Sequence, residues 1–303
     1  MLICFCSFQV EAVDEQHKIV YLISGPRSLS TVFLRMMESR GDFIVFNEPT
    51  IPVYDRIHYK EITKGWFRDD ANVTYDDVKQ RIFDASNQGN VFVKEMSFSS
   101  YDLIVNDQDF ITHPSMYFLI LVRNPHHTSI SFYRNVEDIV PGMSDLIGLQ
   151  KLWNEYQTIK KVNPDRVRII FADQLYANPE NVMSGVCEYL QIPFTAKAFC
   201  WKSHDHQFNG HNSWNEQKVG DHIHHWHGRA IRSTGMGKPS QYLTDAKGTP
   251  TFEEIKNIEH RAKMKEAYLE NLLYYNKFKK EDRDEPASMQ QLSNMSYKRV
   301  STI

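Results

Sequence analysis

From Ser24 to Thr31 the chain reads Ser-Gly-Pro-Arg-Ser-Leu-Ser-Thr, small hydroxyl residues gathered around one fixed cation, Arg27. A turn of this kind aims backbone N–H groups at a single point and suits an anion, most often a phosphate. No Gly-Lys-Ser/Thr closes it, so it is not a Walker A loop; Leu29-Ser30-Thr31 stands in that place. Further along, Glu48 precedes Pro49, Lys94 precedes Glu95, and Arg123-Asn124-Pro125 precedes Ser129, Ser131 and Tyr133. A carboxylate such as Glu48 can take a proton from an attacking group, or it can pair with Arg27 or Lys94 as a rim residue. The planar fork of Arg123 suits bidentate contact with a phosphate.

The elements that must hold these residues follow from hydrophobic patterning. Apolar runs rich in β-branched and aromatic residues fall at 19–23, 43–46, 91–93, 116–122 and 167–171, with helical patterns at 30–40, 75–87, 127–136, 145–161 and 178–190. Unbroken apolar runs suit strands covered on both faces, and their alternation with helices implies βαβ crossovers. The expectation is an α/β fold, one three-layer domain around a central parallel sheet, whose ligands lie beyond the carboxyl ends of the strands. Each residue singled out above falls at such an end, so four polar strand ends converge on one cleft. Gly41 reads as a helix stop, and Asn178-Pro179 as a helix start. A long helix is expected from Phe252 to about Phe278, opened by Thr251, Glu253 and Glu254.

Taken together, the motifs resemble those of sulfotransferases that use 3′-phosphoadenosine 5′-phosphosulfate (PAPS). Pro26-Arg27-Ser28-Leu29-Ser30-Thr31 is similar to the family's 5′-phosphosulfate loop, with Leu29 where a glycine is usual. Arg123-Asn124-Pro125 with Ser131 is similar to its 3′-phosphate motif, and Glu48-Pro49 matches its carbohydrate-type members. Asp173-Gln174-Leu175 followed by Pro179-Glu180, then Leu190-Gln191-Ile192, resembles a later family signature. The likeness spans about residues 19–194 and implies the P-loop NTPase-like sulfotransferase fold. It further implies that Arg27, Ser28, Leu29, Ser30 and Thr31 hold the 5′-phosphosulfate and that Arg123 and Ser131 hold the 3′-phosphate. Arg229 and Arg232, with Lys238, are the nearest cations to a C-terminal phosphate loop of which there is no clean copy. Glu48 is the candidate general base, because Lys94-Glu95-Met96 stands where small-molecule members carry Lys-Thr-His. Lys94 is the candidate stabiliser of the moving sulfuryl group, and Arg27, with the Ser30 and Thr31 hydroxyls, bears on the charge that grows on the bridging oxygen of the leaving phosphate. The donor is PAPS, no metal is expected, and the acceptor is a small molecule or carbohydrate. Two rivals stay open: a P-loop-type small-molecule kinase, and a nucleotide-binding scaffold without turnover, which Leu29 and Met96 favour.

Composition bounds the rest. With 303 residues, 41% of them hydrophobic, the chain can bury a large core, and no linker divides 18–278. A formal charge of −3 argues against a general nucleic-acid or membrane-surface binder. Four cysteines are too few for a disulfide scaffold and read as reducing, cytoplasmic usage. Residues 1–17 read as a leader or extra edge strand rather than a signal peptide, and 279–303 as a flexible tail. Seven of the thirteen histidines lie between His204 and His227, within a His- and Trp-rich stretch at 199–240. A structural metal, plain loop packing and an acceptor-facing wall of Trp201, Trp214 and Trp226 are its three readings.

Overall fold

The computed structural model describes residues 16–58, 73–135, 143–203, 227–237 and 242–284. Five parallel strands, β1 (Ile19–Ser24), β2 (Phe43–Asn47), β3 (Asn90–Met96), β4 (Met116–Val122) and β5 (Val167–Phe171), form one sheet in the order β2-β3-β1-β4-β5. Strand side chains alternate between faces. In β1, Ile19, Tyr21 and Ile23 enter the apolar cluster on one face, while Val20 and Leu22 enter the cluster on the other. Both faces are covered, which is why the strands read as unbroken apolar runs.

The helices divide accordingly. One face is packed by α1 (Ser30–Arg40), through Phe33, Leu34, Met36 and Met37, together with a later helix, Pro179–Leu190. The other carries α3 (Tyr75–Ser86), α8 (Leu149–Val162) and the long C-terminal helix. Between them in chain order lie α2 (Ile51–His58), α4 (Ser97–Ile104), α5 (Gln108–Thr112), α6 (Pro125–Tyr133) and α7 (Met143–Ile147). After β5 come α9 (Ala172–Ala177), α10 (Pro179–Leu190) and α11 (Ile258–Asp284). The three-layer α/β expectation is met, and β1 lies at the centre, so the turn that follows it opens at the middle of the sheet's carboxyl edge.

Local chemistry explains most boundaries. Gly41 ends α1 in the left-handed region at φ 78°, and Pro179 occupies the first turn of α10. Thr74 and Asp77 form a reciprocal capping box at the start of α3. Three expectations are corrected. The single helix expected at 145–161 is broken at Gly148, at φ 73°, into α7 and α8. The C-terminal helix begins at Ile258, not Phe252, because the Asn257 side chain accepts the His260 N–H at 3.1 Å and so caps it there. It runs through Asp284, so the first part of the expected tail is helical. The leader at 1–15, and the tail from 285 on, lie outside the described residues. Among the described residues no helix is long and apolar enough to cross a membrane.

Candidate active site

The turn after β1 is tight. A Cβ on Gly25 would lie 2.5 Å from the Ile147 carbonyl oxygen, so the end of α7 can close on this turn only because position 25 has no side chain. Arg27 and Leu29 both adopt positive φ, 58° and 71°. Leu29 therefore occupies a left-handed position that a glycine would fill without strain. The Ser28 hydroxyl donates to the Gly25 carbonyl at 2.6 Å and closes the turn. Helix α1 starts with no side-chain cap and no acidic residue in its first turn, so its positive end faces the turn undiluted. Ser30 is buried there, and the Thr31 hydroxyl lies 2.9 Å from Nδ1 of His227.

Around this turn the structure gathers cations. Arg27 Nε donates to the Ser131 hydroxyl at 3.3 Å, joining the turn to α6. Arg123, 8% exposed, donates through Nη1 to the Arg27 carbonyl and through Nη2 to the Tyr242 hydroxyl. Burial lowers Arg27 to about 10, and the neighbouring charges of Arg123 and Arg229 push it the same way. Arg229 is thus close enough to act on the turn. Arg232 is exposed, and its guanidinium folds back over Gly228. Arg229 acts on Arg27, and Lys238 lies outside the described residues.

A second corner forms at the ends of β2 and β3. Register pairs Lys94 with Leu22 and Glu95 with Ile23, so Lys94 projects on the α1 face and Glu95 on the opposite one. Lys94, fully buried, makes an ion pair with Glu48. Glu48 is itself held at φ 50°, with its N–H donating to the Lys94 carbonyl at 2.6 Å. A non-glycine residue in this region, followed by proline, is a strained arrangement of the kind found at functional sites. Burial lowers the Lys94 ammonium, while Glu95 and the direct contact with Glu48 favour its charged form.

Glu95, which the sequence presents only as Lys94's neighbour, turns out to organise this corner. Its carboxylate accepts the Thr50 N–H at 2.9 Å, the Met96 N–H at 3.0 Å and the Ser99 hydroxyl at 3.2 Å. It thereby ties the Glu48-Pro49-Thr50 turn to the end of β3. Met96 sits against the core, with the Ser24 hydroxyl 4.0 Å from its sulfur.

The His- and Trp-rich stretch contributes differently from expectation. Trp201 is buried in the core beside α1 and donates through Nε1 to the Ser233 hydroxyl at 3.0 Å, so it lines no acceptor wall. Trp214, Trp226 and the histidines from 204 to 225 lie outside the described residues. His227 instead meets the anion turn through Thr31. Among the described residues no group of three or more His, Cys, Asp or Glu is placed to hold a metal ion. The sequence offered no signal for Tyr242, whose contact with Arg123 spans 119 residues of chain.

No protein-family model matches the chain. It is 26% and 25% identical, over 231 residues or 74% of its length, to branched-chain-amino-acid aminotransferase-like proteins 2 and 1 of Arabidopsis thaliana. The chain spans only 37% and 38% of those two relatives. The solved structures it is similar to are sulfotransferases. A sulfotransferase domain from the curacin biosynthetic pathway is 18% identical at a TM-score of 0.39, over 60% of this chain and 77% of that one. A mouse sulfotransferase complexed with PAP is 9% identical at 0.42, over 91% and 88%. A sulfotransferase from Alicyclobacillus acidocaldarius is 16% identical at 0.39, over 57% and 81%. Likeness at this level transfers no residue role.

Proposed function

We propose that the chain is a sulfotransferase that moves a sulfuryl group from PAPS to a hydroxyl or amine of a small-molecule or carbohydrate acceptor. The observation that carries this reading is the gathering of Arg27, Arg123 and Arg229 around the uncapped start of α1, with Ser131 bonded to Arg27. Guanidinium groups gathered at a positive helix end suit a bound polyanion. This reading seats one anionic group at the turn, near the N–H groups of residues 28–31, and a second at Arg123, with Ser131 as a further donor. A 3′,5′-bisphosphorylated nucleoside carries that pair of charges, whereas ATP carries its phosphates in one chain.

The donor supplies a compact sulfuryl electrophile on a phosphate leaving group. Glu48 takes the proton of the acceptor as the acceptor oxygen or nitrogen bonds to sulfur. The bond from sulfur to the bridging oxygen breaks, and Lys94, Arg27 and the positive end of α1 stabilise the charge left there. By analogy with phosphoryl transfer, positioning and charge stabilisation supply most of the catalysis. Its low cysteine count supports a reducing compartment such as the cytoplasm.

Thermal stabilisation tests it. Adenosine 3′,5′-bisphosphate, added without metal, raises the melting temperature, while AMP does so weakly at the same concentration. Stabilisation by ATP with magnesium and none by the bisphosphate would return the kinase reading. Bisphosphate binding without transfer to any acceptor would return the scaffold reading.

A further inference from the structure

Asp173 opens a signature to which the sequence attaches no role, and the structure gives it one. Its Oδ2 accepts the Asn124 N–H at 3.2 Å and its Oδ1 lies 2.8 Å from Nδ1 of His127. The His127 ring in turn stacks on the Tyr242 ring, with centroids 4.0 Å apart and planes inclined by 16°. Tyr242 brings its hydroxyl to Nη2 of Arg123, and the Arg123 and Arg134 guanidinium groups both lie within 6 Å of its ring centre, at 5.7 and 5.5 Å. Three segments far apart in the chain, the starts of α6 and α9 and the segment at 242, thus form one contiguous chain of contacts ending at Arg123.

The chemistry of that end is specific. An arginine donates and cannot accept, so the Tyr242 oxygen accepts from Arg123 and keeps its own O–H proton to give. An anion oxygen bound at Arg123 is an acceptor to which that proton can be given. We infer that Tyr242 is a second phosphate-binding residue at Arg123, and that His127, anchored by Asp173, is the positioning residue that holds its ring in place. This rests on the reading that Arg123 receives the 3′-phosphate of the donor. It adds a ligand contact from outside the turn and outside the Arg-Asn-Pro motif.

The test is the ratio of affinities for adenosine 3′,5′-bisphosphate and AMP, measured by titration calorimetry on the full chain. Tyr242→Phe removes one hydroxyl and keeps the stack on His127. It is expected to weaken the bisphosphate by about tenfold or more and to leave AMP within about twofold, the scale of one hydrogen bond to a charged group. His127→Phe keeps a stacked ring but releases it from Asp173, and is expected to lower the same ratio by a smaller factor. In the double variant the two losses fall short of their product, because both act on one contact. A wild-type protein that prefers the bisphosphate, with a Tyr242→Phe variant that keeps the whole preference, overturns the inference and leaves the proposed function standing. A wild-type protein with no such preference overturns the proposed function, and the inference with it. A lowered melting temperature in His127→Phe with an unchanged ratio overturns its positioning role and makes it a packing residue only.

Discussion

The two corners of the cleft are built on opposite electrostatic plans. At the ends of β2 and β3, Lys94 is fully buried and meets the carboxylate of Glu48, and Glu95 is satisfied by two backbone N–H groups and a hydroxyl. That corner carries its own counter-charges. At the ends of β1 and β4, Arg27 lies beside a positive helix end and feels Arg123, and Arg229 from later in the chain, as like charges. The first corner is arranged to hold a reactive carboxylate and ammonium in fixed places. The second brings guanidinium groups to the positive end of a helix, where the proposed donor would bind.

Removing a cation from the open corner is the most direct way to break this contrast. Arg123→Ala is expected to weaken adenosine 3′,5′-bisphosphate by about a hundredfold, the scale for a buried charged hydrogen-bonding group, and AMP far less. Equal losses for both ligands, read by calorimetry, would remove Arg123 from the 3′-phosphate. At the closed corner the same kind of change should act on stability instead. Glu48→Gln leaves Lys94 buried beside a neutral amide, and breaking such a pair costs about 3–5 kcal/mol. Replacing both members, Glu48→Gln with Lys94→Met, is expected to recover much of that loss in urea unfolding. Turnover falls in both variants, whereas bisphosphate affinity, compared below the unfolding range, changes little. Loss of that affinity in Glu48→Gln would make the closed corner part of donor binding.

A third change probes how far the closed corner extends. Glu155, on α8, is fully buried, accepts from Ser100 at 3.1 Å, and feels Glu95 and Asp102 as like charges. Burial, the largest cause, raises its carboxyl well above the ordinary value of 4.5. The folded chain therefore keeps a proton that the unfolded chain gives up. Stability from this group is full below the unfolded value and is lost as pH rises toward the folded one. Glu155→Gln should flatten that decline between about pH 5 and about pH 8, measured as urea midpoints. An unchanged slope would assign the decline to Glu95, whose carboxyl burial also raises.

How much of this could be read from the residues alone differs between the corners. The strands were legible because both faces of the sheet are apolar, and the strand ends then placed Arg27, Glu48, Lys94 and Arg123 at one edge. The open corner was legible as a pair of motifs, since each sits within a few residues of a strand. Its completion was not: Tyr242 and His227 reach the site across 119 and 196 residues, and nothing local marks such a contact. In the closed corner, the pairing of Glu48 with Lys94 was one of two open readings, while the role of Glu95 depended on register. Side-chain alternation sends it away from Lys94 and under the Thr50 turn, a placement only the sheet reveals. The break at Gly148 was hidden for a related reason, because a glycine inside a helical pattern signals a stop only when its φ is known.

The smallest effect concerns the turn itself, and it separates two kinds of constraint that lie four residues apart. Gly25 is required by space, since any Cβ meets the Ile147 carbonyl, and Gly25→Ala is expected to destabilise the fold. Position 29 is required by conformation, and Leu29 meets that requirement under strain at φ 71°. Leu29→Gly removes a left-handed strain of about 1–2 kcal/mol. It also gives up part of a half-buried side chain packed against the α1 face and adds about 0.5–1 kcal/mol of unfolded-state freedom. These terms nearly cancel, so the urea midpoint should move by less than the equivalent of about 1 kcal/mol, with the slope unchanged. The N–H groups of the turn keep their directions, so bisphosphate affinity should also hold. A gain in affinity would show that Leu29 crowds the anion. A large loss of stability would show that its side chain, more than the backbone, holds the open corner in shape.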